Sequence, residues 1–501
     1  MVIAGAAPGC GGGGEITGGG SATGGVTGQA GNVAGAGNVG SAGASGAAGA
    51  DAGAISGTPD GMSGQPVAGG PTWHADVAPI VAARCTACHQ PGGIGPFSLT
   101  SYDSAQRFAV AMAAAVTSGR MPPWQATETA DCHPRFGWKD DLRLSAAEKA
   151  TIETWAKQGA PEGTPVAGAA PAAPASLALA NPSARTTMPK PYSVAGKGDV
   201  FRCFPLPHEF AQDSWITGLQ VVPGNAKVVH HVLVWLESQH QSDALVEADG
   251  SYPCFGAPGF ATTLLGAWAP GAVPNELPPG TGLAVPKGSR IVINVHYHPA
   301  AGAETDATSI DMRWTTTRTP YTALLALPGN AKSAAEGLMP GADDPTSGPA
   351  FVIPANAKDH EERAEIAVGL TVPIPVRIFT VGTHMHYVGT GMRMEIDRSG
   401  RLGGAPADEP SRECLIETPK WDFHWQRGYS YNVPLTSLPT VMAGDKLLLR
   451  CRYDNSTDNP YVMEALHEKG LRVPQDVRLG EQTLDEMCLG VIGVAFPSLG
   501  R

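Results

Sequence analysis

The stretch Val228-Val229-His230-His231-Val232-Leu233-Val234-Trp235-Leu236 decides how most of this chain is read. It is rich in β-branched and aromatic residues, which suit a pleated, half-buried surface. Runs of the same kind surround it. They are RIVINVHYH (290–298), IPVRIFTVGTHMHYV (374–388), MRMEID (392–397) and KLLLRCRY (446–453), with Pro, Gly and Asn turns between them. From about 185 onwards the expectation is therefore all-β, with no helix comparable to those near the start. Two sandwich (jelly-roll-like) domains are expected, 185–320 and 321–501, split where the chain passes Thr317-Arg318-Thr319-Pro320.

The same runs concentrate histidine. His230-His231, His296-Tyr297-His298 and His384-Met385-His386 hold six of the chain's 14 histidines. In a strand, residues i and i+2 share a face, so His384 and His386 can chelate one metal. His296 and His298 satisfy the same rule. His230 and His231 point to opposite faces of a regular strand. They reach one metal only if the strand twists, bulges or ends there. Imidazole sites suit copper or zinc, and a thioether added to them favours Cu(I).

Ahead of the β-rich part the pattern is helical, from about 71 to 163. Val77, Ile80 and Val81 lead into Cys85-Thr86-Ala87-Cys88-His89. C-x-x-C-H is the attachment pattern of a c-type haem: two thiols bond the vinyl groups, and His89 supplies the proximal ligand. Residues 103–118 read as a second helix stopped by Gly119. Ser145 and Glu148 form a capping box opening a third, which carries Ile152 and Trp155 and ends at Gly159. This is the layout of a small all-α cytochrome c domain. Met121, in a Pro-rich loop, is the expected sixth ligand. His133 is the rival, and Met112 reads as helix core. A redox donor on the same chain tips the metal of the β half from zinc to copper, since zinc carries no electrons.

The segment from about 185 to 501 resembles the copper type II, ascorbate-dependent monooxygenases, the family of peptidylglycine α-hydroxylating monooxygenase and dopamine β-monooxygenase. The resemblance rests on Val228-Val229-His230-His231-Val232-Leu233, Gly266-Ala267-Trp268-Ala269-Pro270, Leu277-Pro278-Pro279-Gly280-Thr281-Gly282, Val295-His296-Tyr297, Thr383-His384-Met385-His386 and Asp485-Glu486-Met487-Cys488, in the family's order. It implies two copper ions in two β-sandwich domains facing each other across an open cleft. His230, His231 and His296 would hold the electron-transfer copper. His384, His386 and Met487 would hold the catalytic, O2-binding copper. His298 has no counterpart in that ligand set. Met385 and Met463 are the rival thioethers. The resemblance also implies the bridges Cys203–Cys254 and Cys451–Cys488. Cys132 and Cys414 are left over; they pair between domains or stay free, and free is the expectation.

The function expected from all this is hydroxylation of a C–H bond of a peptide or small organic molecule with O2. Electrons would come through the covalently bound haem c from ascorbate or a periplasmic or respiratory donor. The alternative is an electron-transfer or copper-binding protein without hydroxylase activity. Arg393 and Arg313 are candidate anchors for an acidic substrate, although each reads first as a surface arginine. Trp421-Asp422-Phe423-His424-Trp425-Gln426 reads as core filling or as the lining of a substrate cleft.

Composition narrows the setting. A net charge of −12 argues against nucleic acid as a partner. Cysteines beside strand-like segments fit an oxidising compartment, so a bacterial periplasm, outer membrane surface or secreted location is expected. Residues 1–70 read as a disordered Gly/Ala/Ser-rich tether and 164–184 as an Ala/Pro linker. Cys10, closing a short apolar start, is a candidate lipid-anchored residue.

Overall fold

The computed structural model describes residues 69–165 and 178–498, apart from 92, 197, 299–302, 331–336, 342–343, 370–373, 403–405, 407, 481 and 483. Cys10 and nearly all of the expected tether lie outside the described residues, as does most of the 164–184 linker.

The helical part is short. A π-helical turn Trp73–Val77 runs into α1 (Ala78–Arg84), followed by α2 (Tyr102–Arg107), α3 (Ala109–Thr117) and α4 (Ala146–Lys157). The helix expected over 103–118 is broken at Phe108 into α2 and α3. Ser145 and Glu148 form the full reciprocal capping box on α4. Val77, Ile152 and Trp155 are fully buried in the core of this module. Each such side chain contributes on the order of 1.5–3 kcal/mol by leaving water.

The remainder is strand-rich. A five-stranded sheet runs Tyr252–Pro253, Val200–Glu209, Arg290–Tyr297, Val229–Glu237, Thr263–Trp268. Its central strand, Arg290–Tyr297, is buried along its whole length. A four-stranded sheet runs His360–Ala367, Lys446–Tyr453, Gly389–Asp397, Arg412–Thr418. Buried and half-buried residues alternate along Lys446–Tyr453, as a strand with one face on the core requires.

An eleven-stranded sheet joins the two halves. Tyr321–Ala326, just past the expected boundary at 320, is the link. It pairs parallel with Thr281–Val285 and antiparallel with Cys488–Pro497. The segment after α3 also leaves the helical module. Ala126 and Trp138 are buried in the β core, with Trp138 stacked on Tyr431.

Two expectations are overturned. A helix does appear in the β-rich part: α5 (Pro460–Lys469), with the Asn459 side chain capping its start, Pro460 at its first position and Gly470 in the left-handed region after it. Cys132 and Cys414 are not free. They form a disulfide, Cα–Cα 5.4 Å, that ties the loop after α3 to the second β half. The bridges Cys203–Cys254 and Cys451–Cys488 are both present, with Cα–Cα of 5.7 and 5.9 Å.

Candidate metal and haem centres

His296 sits opposite His231 in the pairing of Arg290–Tyr297 with Val229–Glu237, and the next pair is Tyr297 with Val229. His230 is therefore an extra residue, a β-bulge. A bulge re-aims a side chain that would otherwise alternate to the far face. Adjacent histidines thus reach the same point. The Nδ1 atoms of His230 and His296 lie 3.2 and 3.3 Å from Nδ1 of His231. Two metal–nitrogen bonds of about 2.0–2.1 Å at a tetrahedral angle place their nitrogens about 3.3 Å apart, so the donor set fits one ion. Burial, then neighbouring imidazoles, hold His230 and His231 well below the usual histidine range, which keeps their lone pairs available at neutral pH. His296 Nε2 lies 3.3 Å from the Asp199 carboxylate, which also holds His298 Nδ1 at 2.9 Å. His298 is itself 44% exposed and points its bonded nitrogen at Asp199, outside the three-histidine set.

The second group forms at the end of Val376–His384. The His384 and His386 rings are 5.2 Å apart, centre to centre. His384 Nδ1 is 2.8 Å from Gln426 Oε1, and His386 Nδ1 is 3.0 Å from the Asp485 carbonyl. Both partners are acceptors, so each Nδ1 carries the proton and each Nε2 is left with the lone pair. Burial, then His384, lowers His386 to about 3. His384 pairs with Leu489 in the antiparallel ladder. Met487 lies immediately before the strand Cys488–Pro497, whose Leu489 pairs with His384. Met487 is buried. Its N–H donates to Glu486 at 2.8 Å, and its carbonyl accepts from the Tyr453 hydroxyl at 2.9 Å. The same Glu486 carboxyl accepts from the His386 N–H, so one buried side chain holds the backbone of both residues. Of the rival thioethers, Met385 is fully buried in the core and Met463 is 47% exposed on α5.

The two groups are not separated by an open cleft. The Phe423 ring stacks on His230 with centres 4.7 Å apart and lies 6.3 Å from the His386 ring. His231 is within electrostatic reach of His384 and His386. Trp421 and Phe423 of the aromatic run are core residues, as expected, and Phe423 also stands between the two groups. Asp199 is the residue that sequence reasoning missed beside this site; Phe423, Gln426 and Glu486 were read only as members of their runs, without roles of their own. Gln426 beside a histidine-holding aromatic run was the available signal. Arg393 is not a surface residue either: it is 11% exposed and paired with Glu417 at 3.1 Å. Arg313 is bound to Glu276 at 3.2 Å.

In the helical module Cys85 and Cys88 carry free thiols just after α1. Burial and then Cys88 push the Cys85 thiol up to about 12. His89 Nδ1 is 3.1 Å from the Phe97 carbonyl, which orients the ring and leaves Nε2 as the free donor. A Cβ at Gly95 would lie 2.7 Å from His89 Nδ1, so only glycine admits this approach. Two thiols and one oriented imidazole with an available Nε2 fit a covalent haem. Met121 is 37% exposed in the loop after α3. His133 has a 66% exposed side chain paired with Glu128, and Met112 is buried among the helices.

No family model matches the chain. A human (Homo sapiens) protein named DBH-like monooxygenase protein 1 is 25% identical over 241 residues, 46% of this chain and 36% of that protein. The likeness supports a distant relation to the copper monooxygenases. The chain spans about a third of that relative's length. Among solved structures, the major capsid protein P2 of bacteriophage PM2 matches with a TM-score of 0.21 and 12% identity, over 63% of this chain and 98% of that one. PNGase F from Flavobacterium meningosepticum matches at 0.18 and 11%, over 54% and 96%. Likenesses of that size carry no argument. Three disulfides fit a secreted or extracellular protein. Among the described residues no helix is long and apolar enough to cross a membrane.

Proposed function

We propose that this protein is a copper-dependent monooxygenase that hydroxylates a C–H bond of a peptide or small molecule with O2, fed with electrons through a c-type haem on the same chain. The observation that carries the reading is the pairing of two imidazole groups of different make-up. One converges three Nδ1 atoms on a single point; the other leaves two Nε2 lone pairs, and one buried carboxyl, Glu486, holds the backbone of both His386 and Met487.

When bound, two coppers supply one-electron chemistry and O2 reactivity, and the haem supplies electrons. His230, His231 and His296 would hold one copper, the all-nitrogen set suited to cycling between Cu(II) and Cu(I). His384, His386 and Met487 would hold the other, where the soft thioether favours the cuprous state. Cys85 and Cys88 would bond the haem, and His89 and Met121 would supply its iron ligands. Gln426 and the Asp485 carbonyl keep the protons of His384 and His386 on Nδ1. Phe423 excludes water between the two groups. A periplasmic or otherwise extracytoplasmic setting, in a bacterial cell that attaches haem c, suits the disulfides and the haem together.

The test is metal and haem content of protein matured in a periplasm that attaches haem c, followed by substrate-dependent O2 uptake. Two coppers per haem with O2 uptake on addition of a glycine-extended peptide or small aromatic substrate supports the reading. Haem without copper after reconstitution would reduce the β half to a binding module.

A further inference from the structure

We propose that electrons from the haem enter the copper centre at the His384–His386 group, through the segment Trp421–Tyr429, with Arg427 at the haem edge and Gln426 on His384. This rests on the haem and copper assignments made above.

One segment touches both ends. The loop that carries Met121 continues into Trp124 and Gln125. The Gln125 amide nitrogen donates to the carbonyls of Asp422 and Trp425 at 3.0 and 2.6 Å, and its backbone N–H donates to the Tyr429 hydroxyl at 3.1 Å. The Arg427 guanidinium lies over the rings of Trp124 and Tyr429, 4.9 and 5.1 Å from their centres. The adjoining residue, Gln426, bonds His384 Nδ1. From the Met121 loop to His384 the path therefore crosses one packed contact, one peptide link and one hydrogen bond. No comparable bond reaches the three-histidine group from this loop among the described residues; Phe423 meets His230 by ring stacking alone.

Arg427 is the feature that fold stability does not explain. Among the described residues no carboxylate pairs with it, and its Nε is buried without a hydrogen-bond partner. The nearby Asp141 is taken by Arg143 at 2.6 Å. Arg427 and Cys88 lie within electrostatic reach of each other. A cation held within reach of Cys88 would favour the ferrous over the ferric state of a haem bonded there, because the ferric iron carries one more positive charge. The step itself moves one electron: ferrous haem iron becomes ferric, and one cupric ion at His384–His386 becomes cuprous. No bond forms or breaks, and an external one-electron donor refills the haem.

The test uses the full chain carrying haem and saturating copper, in wild type, Arg427→Gln, Arg427→Lys, Gln426→Leu and Arg393→Gln. Two quantities are read: the haem midpoint potential by spectroelectrochemistry, and the decay of the reduced haem band after one-electron photoreduction without O2, with freeze-quench EPR of Cu(II). Arg427→Gln should lower the potential, Arg427→Lys should restore most of it, and Arg393→Gln, whose charge is already neutralised by Glu417, should leave it in place. Gln426→Leu should slow haem reoxidation without moving the potential, and the first Cu(II) signal lost should be that of the His384–His386 group. An unmoved potential in Arg427→Gln overturns the haem-edge role. A wild-type rate in Gln426→Leu, or first loss of the three-histidine signal, overturns the route. Wild-type protein with no haem band fails the cytochrome assignment itself, and the route with it.

Discussion

Replacing Gln426 by leucine should weaken one copper and spare the other. The Gln426 carbonyl is the acceptor for His384 Nδ1–H at 2.8 Å, in a buried setting. Leucine has a similar volume and no acceptor. The stranded N–H then costs about 1–3 kcal/mol, unless the imidazole moves its proton to Nε2 and gives up the lone pair a metal needs. Either outcome falls on metal binding. At 1.36 kcal/mol per decade this is roughly 5- to 150-fold, in line with the 10- to 100-fold losses typical of such supporting partners. The three-histidine group uses Nδ1 atoms directly and has no bond to Gln426, so its affinity should stay within about twofold. The assay is competition for Cu(I) against a chelator of known affinity, read for both equivalents, with circular dichroism as a folding control. Gln426→Glu, which keeps an acceptor in place, should recover most of the loss. Two wild-type affinities in Gln426→Leu would refute the tautomer argument.

Three further outcomes follow from the structure. Cys132→Ser with Cys414→Ser opens a bridge between residues 282 apart and should lower unfolding stability by about 2–4 kcal/mol, read from denaturant midpoints; an unchanged midpoint would mean that the packing of Trp138 alone holds the loop. His298→Ala should leave copper stoichiometry unchanged, since its ring is 44% exposed and bonded to Asp199; loss of one copper would place it in the ligand set. Burial would raise the Glu409 carboxyl, but hydrogen bonds from Thr440 and Arg401 outweigh it and hold it below its usual value of about 4.5. A depressed folded pKa adds stability above the unfolded value and loses it as pH falls through the folded one. Glu409→Gln should therefore flatten the fall in melting temperature below about pH 5, and an acid limb as steep as wild type would contradict this.

What the sequence disclosed followed how local each cause is. The capping box on α4, the C-x-x-C-H turn and the alternating strands are set by neighbours a few residues apart, and they were legible. The helix Pro460–Lys469 was missed although Asn459, Pro460 and Gly470 mark both its ends, because the surrounding strands outweighed them. The His230 bulge was one of three geometries open to adjacent histidines, and choosing among them needs the register of the partner strand. Phe423 and Gln426 lie in an aromatic run without periodicity. Their roles exist only once two strands and a loop have met. The Cys132–Cys414 bridge spans so much chain that spacing carries no information about it.

The strand Tyr321–Ala326 has one further consequence. Because it hydrogen-bonds at once to Thr281–Val285 and to Cys488–Pro497, the two β halves share one backbone ladder. Swinging one half away from the other would mean tearing a continuous backbone ladder, several bonds together, in the middle of a sheet. The set of one half against the other is thus a property of strand geometry, indifferent to loop length at the periphery. Natural variation that lengthens outer loops can reshape the periphery while the join between the two halves stays the same.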